Sequence, residues 1–172
     1  VSRKGHDNVL RLLAHLADRL PPFQYVIAGE GPARNELERF AISLGLGEHV
    51  RFVGALDDDV LGAYYHFADL FIMLSKATED GVEGFGLTYV EAGASGTAVV
   101  GSNHGGAVEA VRHGETGLVV DPARLEETGN AVLELVHDHT RRASFAEAGQ
   151  RWAEDHLSPG VIAAQLRSLF GA

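Results

Sequence analysis

Two carboxylates, Glu83 and Glu91, bracket the stretch Glu83-Gly-Phe-Gly-Leu-Thr-Tyr-Val-Glu91, with glycines at positions 84 and 86. An ionised carboxylate accepts hydrogen bonds only, so it suits hydroxyl groups. Glycines let the main chain come close to a ligand. A helix start adds N–H groups without internal partners and the positive end of a dipole. Amides for anionic oxygens beside acids for hydroxyls describe a site for a phosphorylated sugar. The same residues also fit a solvated loop acid at Glu83 and a helix-surface acid at Glu91, favoured near the helix N-terminus. The residue types alone leave both readings open.

The elements that must position these groups follow from the apolar pattern. Leu70–Leu74 reads as a buried parallel strand and residues 78–85 as the loop leaving its carboxyl end. A helix begins near Gly86, with Leu87, Val90 and Ala94 at helical spacing. Upstream, Asp7 is placed to cap a helix running to about Leu20, with Val9, Leu10, Leu13 and Leu16 or Leu20 as its apolar stripe. Pro21-Pro22 stop it, and Phe23–Ala28 reads as a strand. An amphipathic helix over Arg34–Leu44 ends at Gly45, and Val50–Val53 forms the next strand. Leu56-Asp57-Asp58-Asp59 opens a helix through Phe67. Beyond the central helix come a strand at 98–101, a turn at His104-Gly105-Gly106 into a helix through Val111, and a strand at 116–120. Helices over 125–138, 141–155 and 159–170 complete the chain. Short apolar strands alternating with helices predict an α/β fold with a doubly wound, Rossmann-like, largely parallel sheet. Ligand loops in such sheets lie at the carboxyl ends of strands. Arg3/Lys4, Gly29, Val53, Glu83–Glu91 and Gly105 all fall there.

Composition narrows the chemistry. At 172 residues and 45% hydrophobic content, the chain suits one globular domain with a substantial core. It has no cysteine, which excludes disulfides and thiolate metal sites. No apolar stretch reaches membrane-span length and no signal-peptide pattern opens the sequence, so a cytoplasmic location is expected. A net charge of −10 argues against nucleic acid or anionic membrane as partner. An anionic ligand then needs local positive charge, and the two lysines, Lys4 and Lys76, both fall in loops expected near it. Gly29-Glu-Gly31-Pro opens like a dinucleotide fingerprint, but Arg34 stands where its last glycine belongs, so a nicotinamide or flavin site is rejected. The acids at 57–59 read as a helix start stabilised by the dipole rather than a metal site. His137 and His139 diverge on a helix, so no metal site is expected. A serine-hydrolase elbow is absent from the sequence.

The spacing of Glu83 and Glu91 around Gly-Phe-Gly resembles the E-x7-E motif of retaining glycosyltransferases of the GT-B fold, family 4 (glycosyl transferases group 1). The runs Glu91-Ala-Gly-Ala-Ser-Gly-Thr-Ala-Val-Val100, His104-Gly-Gly106 and Gly114-Glu-Thr-Gly-Leu-Val-Val-Asp-Pro122 are similar to that family in the same order. So is Val1-Ser-Arg-Lys-Gly-His-Asp7, although Arg3 and Lys4 are adjacent where the family usually separates them. Ala98 and Val108 stand where the family commonly has proline.

The resemblance covers nearly the whole chain, and it is to the carboxyl-terminal half of a GT-B enzyme. It implies that residues 1–172 form a nucleotide-sugar-binding domain whose first strand is truncated and whose acceptor-binding amino-terminal half is absent. By the same resemblance Glu83 is the catalytic-centre acid that meets the donor sugar's hydroxyls, and Glu91 binds ribose hydroxyls. Arg3 and Lys4 hold the diphosphate, and Gly84, Phe85, Gly86 and Leu87 line the donor, with amides from the last three. Main chain at Gly29 and Val53 and the Gly105-Gly106 pair face the donor too. The substrate would be a nucleoside-diphosphate sugar such as a UDP- or GDP-sugar, with no cofactor and no metal. Transfer would retain configuration, the isolated chain would be inactive, and membrane contact would arise only through the missing half. Two other classes stay in view: a non-catalytic nucleotide-sugar binding module, and a GT-B sugar-nucleotide epimerase, whose known members lack this motif run.

Overall fold

The computed structural model describes residues 4–76 and 86–170. Its first helix, α1 (His6–Leu16), places Val9, Leu10, Leu12, Leu13 and Leu16 in the interior and continues as a 3₁₀ turn over Ala17–Arg19. Asp7 does not cap it. Gly5 occupies the cap position with φ 67°, so the helix already starts at His6 and Asp7 falls in the first turn. The strand expected from Phe23 is shorter, β1 (Tyr25–Ala28), and pairs in parallel with β2 (Val50–Gly54). Between them runs α2 (Arg34–Ser43).

A second parallel ladder holds β3 (Phe71–Met73), β4 (Val99–Ser102) and β5 (Gly117–Val120) in the order β3-β4-β5. Every residue of β4 is buried, as expected for a strand covered on both faces. Among the described residues the two ladders do not pair with each other. They nevertheless share one core, in which Ile27 and Val50 join Leu74, Val100 and Leu118 around Leu10, Leu13 and Leu135. The α/β architecture with parallel strands is therefore as expected, but its sheet is in two parts.

Helices cover the ladders. α3 (Asp58–Phe67) follows β2 with Asp57 at its cap position, although no side-chain cap bond forms. α4 (Leu87–Ala94) and α5 (Ala107–Ala110) flank β4, and α6 (Leu125–His137), α7 (His139–Leu157) and α8 (Pro159–Phe170) close the chain. The inward face of α4 differs from the expected stripe. Tyr89, Ala92 and Gly93 are buried, whereas Leu87 is 62% exposed. The cause is a close helix crossing. Gly93 lies against Gly149 of α7, where a Cβ on Gly149 would sit 3.4 Å from the Gly93 Cα. Small residues let the two backbones approach there, so the interior of α4 is not marked by large apolar side chains.

Arg142 ties α6, α7 and the β3 side of the sheet together. Its Nη1 donates to the carbonyls of Leu135 and Val136 at 2.9 and 3.0 Å, satisfying the carboxyl end of α6. Its Nη2 reaches Asp69 at 3.2 Å and His139 Nδ1 at 2.7 Å. The Asp69 carboxylate is solvated, so that pair contributes little, and the carbonyl bonds carry the effect. Arg142→Ala is expected to lower unfolding free energy by about 2–4 kcal/mol, read from urea denaturation, while Asp69→Ala changes it by less than about 1 kcal/mol.

Candidate functional site

At the head of α4, Gly86 adopts φ 77°, a left-handed conformation that glycine takes without strain. A Cβ there would lie 2.9 Å from the Gly106 carbonyl oxygen and 2.9 Å from the Tyr89 ring. The Gly86 and Gly105-Gly106 segments are thus brought together in backbone contact, and only glycine at 86 permits it. By helix geometry the N–H groups of Leu87 and Thr88 lack internal acceptors, because the first bonds run from Tyr89 and Val90 back to the Gly86 carbonyl.

The position of α4 is fixed from below by Tyr89. Its hydroxyl donates to the Met73 carbonyl at 2.8 Å and lies 3.0 Å from Ser75 Oγ, while its ring meets Phe71 edge-on at 5.8 Å. The end of β3 also receives the start of α1. Asn8 Nδ2 donates to the Leu74 carbonyl at 3.1 Å, and a Cβ on Gly5 would overlap that same carbonyl. Lys4, just before Gly5, is half-buried. Lys76, expected near an anion, instead binds both oxygens of Asp7 at 2.9 and 2.8 Å. Asp7 is therefore a salt-bridge partner.

At the ends of β1 and β2 the Gly29 N–H donates to the Gly54 carbonyl at 2.6 Å, which sets Gly29 beside Val53-Gly54. Arg34 supports this corner, donating to Glu38 at 2.9 Å and to the Phe52 carbonyl at 3.3 Å. Glu91, exposed on α4, accepts a hydrogen bond from Tyr65 of α3 at 3.2 Å. Burial raises the Tyr65 phenol well above its ordinary value, and the charge of Glu91 and its hydrogen bond raise it further. Arg3, Glu83, Gly84 and Phe85 lie outside the described residues. The expected residues thus fall in three groups, each at a strand carboxyl end: Lys4 next to Gly5 at the end of β3, Gly29 with Val53-Gly54, and Gly86 with Gly105-Gly106. Among the described residues no three His, Asp or Glu side chains are grouped to hold a metal ion. No described helix is long and apolar enough to cross a membrane.

Three features escaped the sequence. The Tyr65–Glu91 and Lys76–Asp7 pairs join distant segments, and local spacing carries no sign of either. The left-handed Gly5 had a signal, since a glycine directly precedes an apolar-periodic helix there.

Parallel strands alternating with helices, with a glycine-lined helix head at a strand's carboxyl end, are of the doubly wound α/β kind. The chain belongs to the glycosyl transferases group 1 family, whose model matches residues 1–152. It is 36% identical over 168 residues to the GDP-mannose-dependent alpha-(1-6)-phosphatidylinositol monomannoside mannosyltransferase of Mycobacterium tuberculosis, spanning 96% of this chain and 44% of that protein. Among solved structures, Anabaena Alr3699/HepE in complex with UDP-glucose superposes with a TM-score of 0.83 at 27% identity, over 99% of this chain and 46% of that one. The C-terminal domain of the group 1 glycosyl transferase LpcC from Francisella tularensis gives a TM-score of 0.76 at 25% identity, over 90% of this chain and 80% of that one. The chain spans less than half the length of the mycobacterial relative.

Two expectations follow from the geometry. Gly86→Ala should lower stability by about 2 kcal/mol or more, since a left-handed alanine is strained and its Cβ must displace the Gly106 backbone. Gly45→Ala, also left-handed at φ 77° but with open space around it, should lose only about 1 kcal/mol; thermal melts compare the two. The second concerns His6, whose pKa falls to about 4, chiefly by burial and further by the nearby positive charge of Lys4. Its Nδ1 lies within hydrogen-bond distance, 3.0 Å, of the Tyr25 hydroxyl, which burial holds protonated. The unfolded chain takes up this proton near pH 6.5 and the folded chain only near 4. Stability should therefore be complete above about pH 6.5 and fall by about 3 kcal/mol as pH drops to 4. His6→Gln should flatten that part of a stability–pH curve.

Proposed function

We propose that this chain is the donor-binding half of a retaining glycosyltransferase that transfers a sugar from a nucleoside-diphosphate sugar to an acceptor held by another domain. The observation that carries this reading is the Gly86–Gly106 contact at the head of α4 in a chain of this family. It leaves main-chain N–H groups at a strand carboxyl face, where an anionic group is bound most readily. The amides of Phe85, Gly86 and Leu87 meet the donor phosphates, and Arg3 with Lys4 stabilises the departing diphosphate. That is electrostatic work matched to charge that grows as the sugar–oxygen bond breaks. Glu91 takes ribose hydroxyls and Glu83 those of the sugar. Gly29 and Val53 offer main chain to the base, and Gly84, Gly105 and Gly106 leave room for the donor. No metal takes part, and the enzyme works in the cytoplasm.

The two ladders fit the doubly wound fold of this reading. β1 and β3 each have an edge without a partner among the described residues, yet share one core, and doubly wound sheets carry their first strand between such halves. GDP-mannose is the first donor to test, because the mycobacterial relative is named for it, and UDP-glucose is the second, because Alr3699/HepE holds it.

Calorimetry on the full-length protein with GDP, UDP and ADP, with and without EDTA, is expected to give weak binding that the chelator does not change. A folded sample that shows no heat with any of them refutes the donor reading. Glu91→Ala should weaken the diphosphate that binds by roughly ten- to hundredfold, since losing a charged hydrogen-bond partner costs about 1.5–3 kcal/mol. Glu83→Ala should leave that affinity nearly intact and abolish most transfer. Identical behaviour of the two variants toward the bare diphosphate would break the assigned division of labour.

A further inference from the structure

We infer that Tyr65 is a positioning residue that presets the Glu91 carboxylate for a ribose hydroxyl, an inference that rests on the donor-binding reading above. Glu91 stands exposed on α4, and its carboxylate accepts from the Tyr65 hydroxyl, which donates to Oε2 at 3.2 Å. A glutamate on a helix surface samples several rotamers, and holding it in one before a ligand arrives lowers the ordering that binding must impose. The bond engages one oxygen and leaves Oε1 to accept from a ligand.

Tyr65 can fix Glu91 because Tyr65 is itself fixed. Its ring stands edge-on to Phe71 at 5.6 Å, and Phe71 stands edge-on to the buried Tyr89 at 5.8 Å. Its carbonyl accepts from Thr97 Oγ1 and from the Ala68 N–H at 3.1 Å, so its backbone is held where α3 turns into β3. The orientation of Glu91 is thus set from a neighbouring helix and not by α4 alone. The raised phenol pKa keeps Tyr65 a donor throughout the neutral range.

Tyr65→Phe removes the hydroxyl and keeps the ring packing. The test measures the affinity of the full-length protein for whichever of GDP and UDP it binds, using wild type, Tyr65→Phe, Glu91→Ala and the double variant. The 2′,3′-dideoxy form of the same nucleotide, which keeps base and diphosphate but offers no ribose hydroxyl, is the comparison ligand. Tyr65→Phe should weaken the ordinary nucleotide about three- to tenfold, leave the dideoxy form unchanged and add nothing to Glu91→Ala, as expected for two groups acting through one interaction. Wild-type affinity in Tyr65→Phe overturns the inference while leaving the donor reading intact. An equal loss on the dideoxy form also overturns it, since that is general loosening of the site. If Glu91→Ala itself binds the nucleotide like wild type, the ribose role of Glu91 fails, and the role of Tyr65 fails with it.

Discussion

The candidate site depends on one buried phenol. Tyr89 reaches down from α4, bonds the Met73 carbonyl and Ser75 Oγ at the end of β3, and packs its ring against Phe71. A Cβ on Gly101 of β4 would lie 3.2 Å from that ring, so β4 passes close beneath it. A buried hydroxyl left without a partner costs about 1–3 kcal/mol, which makes this register of α4 on the sheet the favoured one. The rest follows from it. With Tyr89 seated, the chain can reach Gly106 at the head of the helix only through a left-handed residue, and Gly86 supplies it. Glu91, on the opposite side of the helix from Tyr89, is turned toward α3.

A second constraint holds α4 one turn beyond Tyr89. At the Gly93–Gly149 crossing the backbone of α4 lies almost against that of α7, and α7 is in turn anchored through Arg142 to the carboxyl end of α6. A helix whose free N–H groups are to meet an anion must not rock. Here it is gripped by a hydroxyl in its first turn and, one turn further on the same buried face, by a close backbone contact. The packing that decides the site's geometry thus involves almost no large aliphatic side chains. The large aliphatic core lies elsewhere, around α1 and the two ladders.

That division explains what could be read in the sequence. The strand–helix alternation was legible because the core around α1, β4 and β5 is made of leucines and valines at regular spacing. The glycine-rich stretches were legible because left-handed or crowded positions demand glycine, as Gly86 does. The inward face of α4 was not legible. Hydrophobic periodicity weights Leu87, Val90 and Ala94, whereas the helix turns Tyr89, Ala92 and Gly93 inward to meet a sheet and a glycine. Asp7 looked like a cap for a similar reason. Its residue type fits the role, but the left-handed Gly5 advances the helix start, and Lys76, 69 positions away, takes the carboxylate. Local sequence describes what a residue can do, and a distant partner decides which of its roles is used.

The Lys76–Asp7 pair also changes how the site would attract an anion. In a chain of net charge −10, two lysines at the ligand face suggested side-chain cations as the main attraction. With both carboxylate oxygens on its ammonium, Lys76 is largely neutralised as a point charge. The pair does something different. It fastens the start of α1 to the end of β3, beside the Asn8 bond to Leu74 and the tight Gly5 approach. Lys4, immediately before Gly5, is therefore presented from a segment anchored at three points. In an acidic protein, long-range attraction for a phosphorylated ligand is weak, so under the proposed donor-binding role selectivity would fall to short-range donors in fixed positions, such as the main-chain amides at the head of α4. Such donors act only on a ligand whose oxygens match their positions.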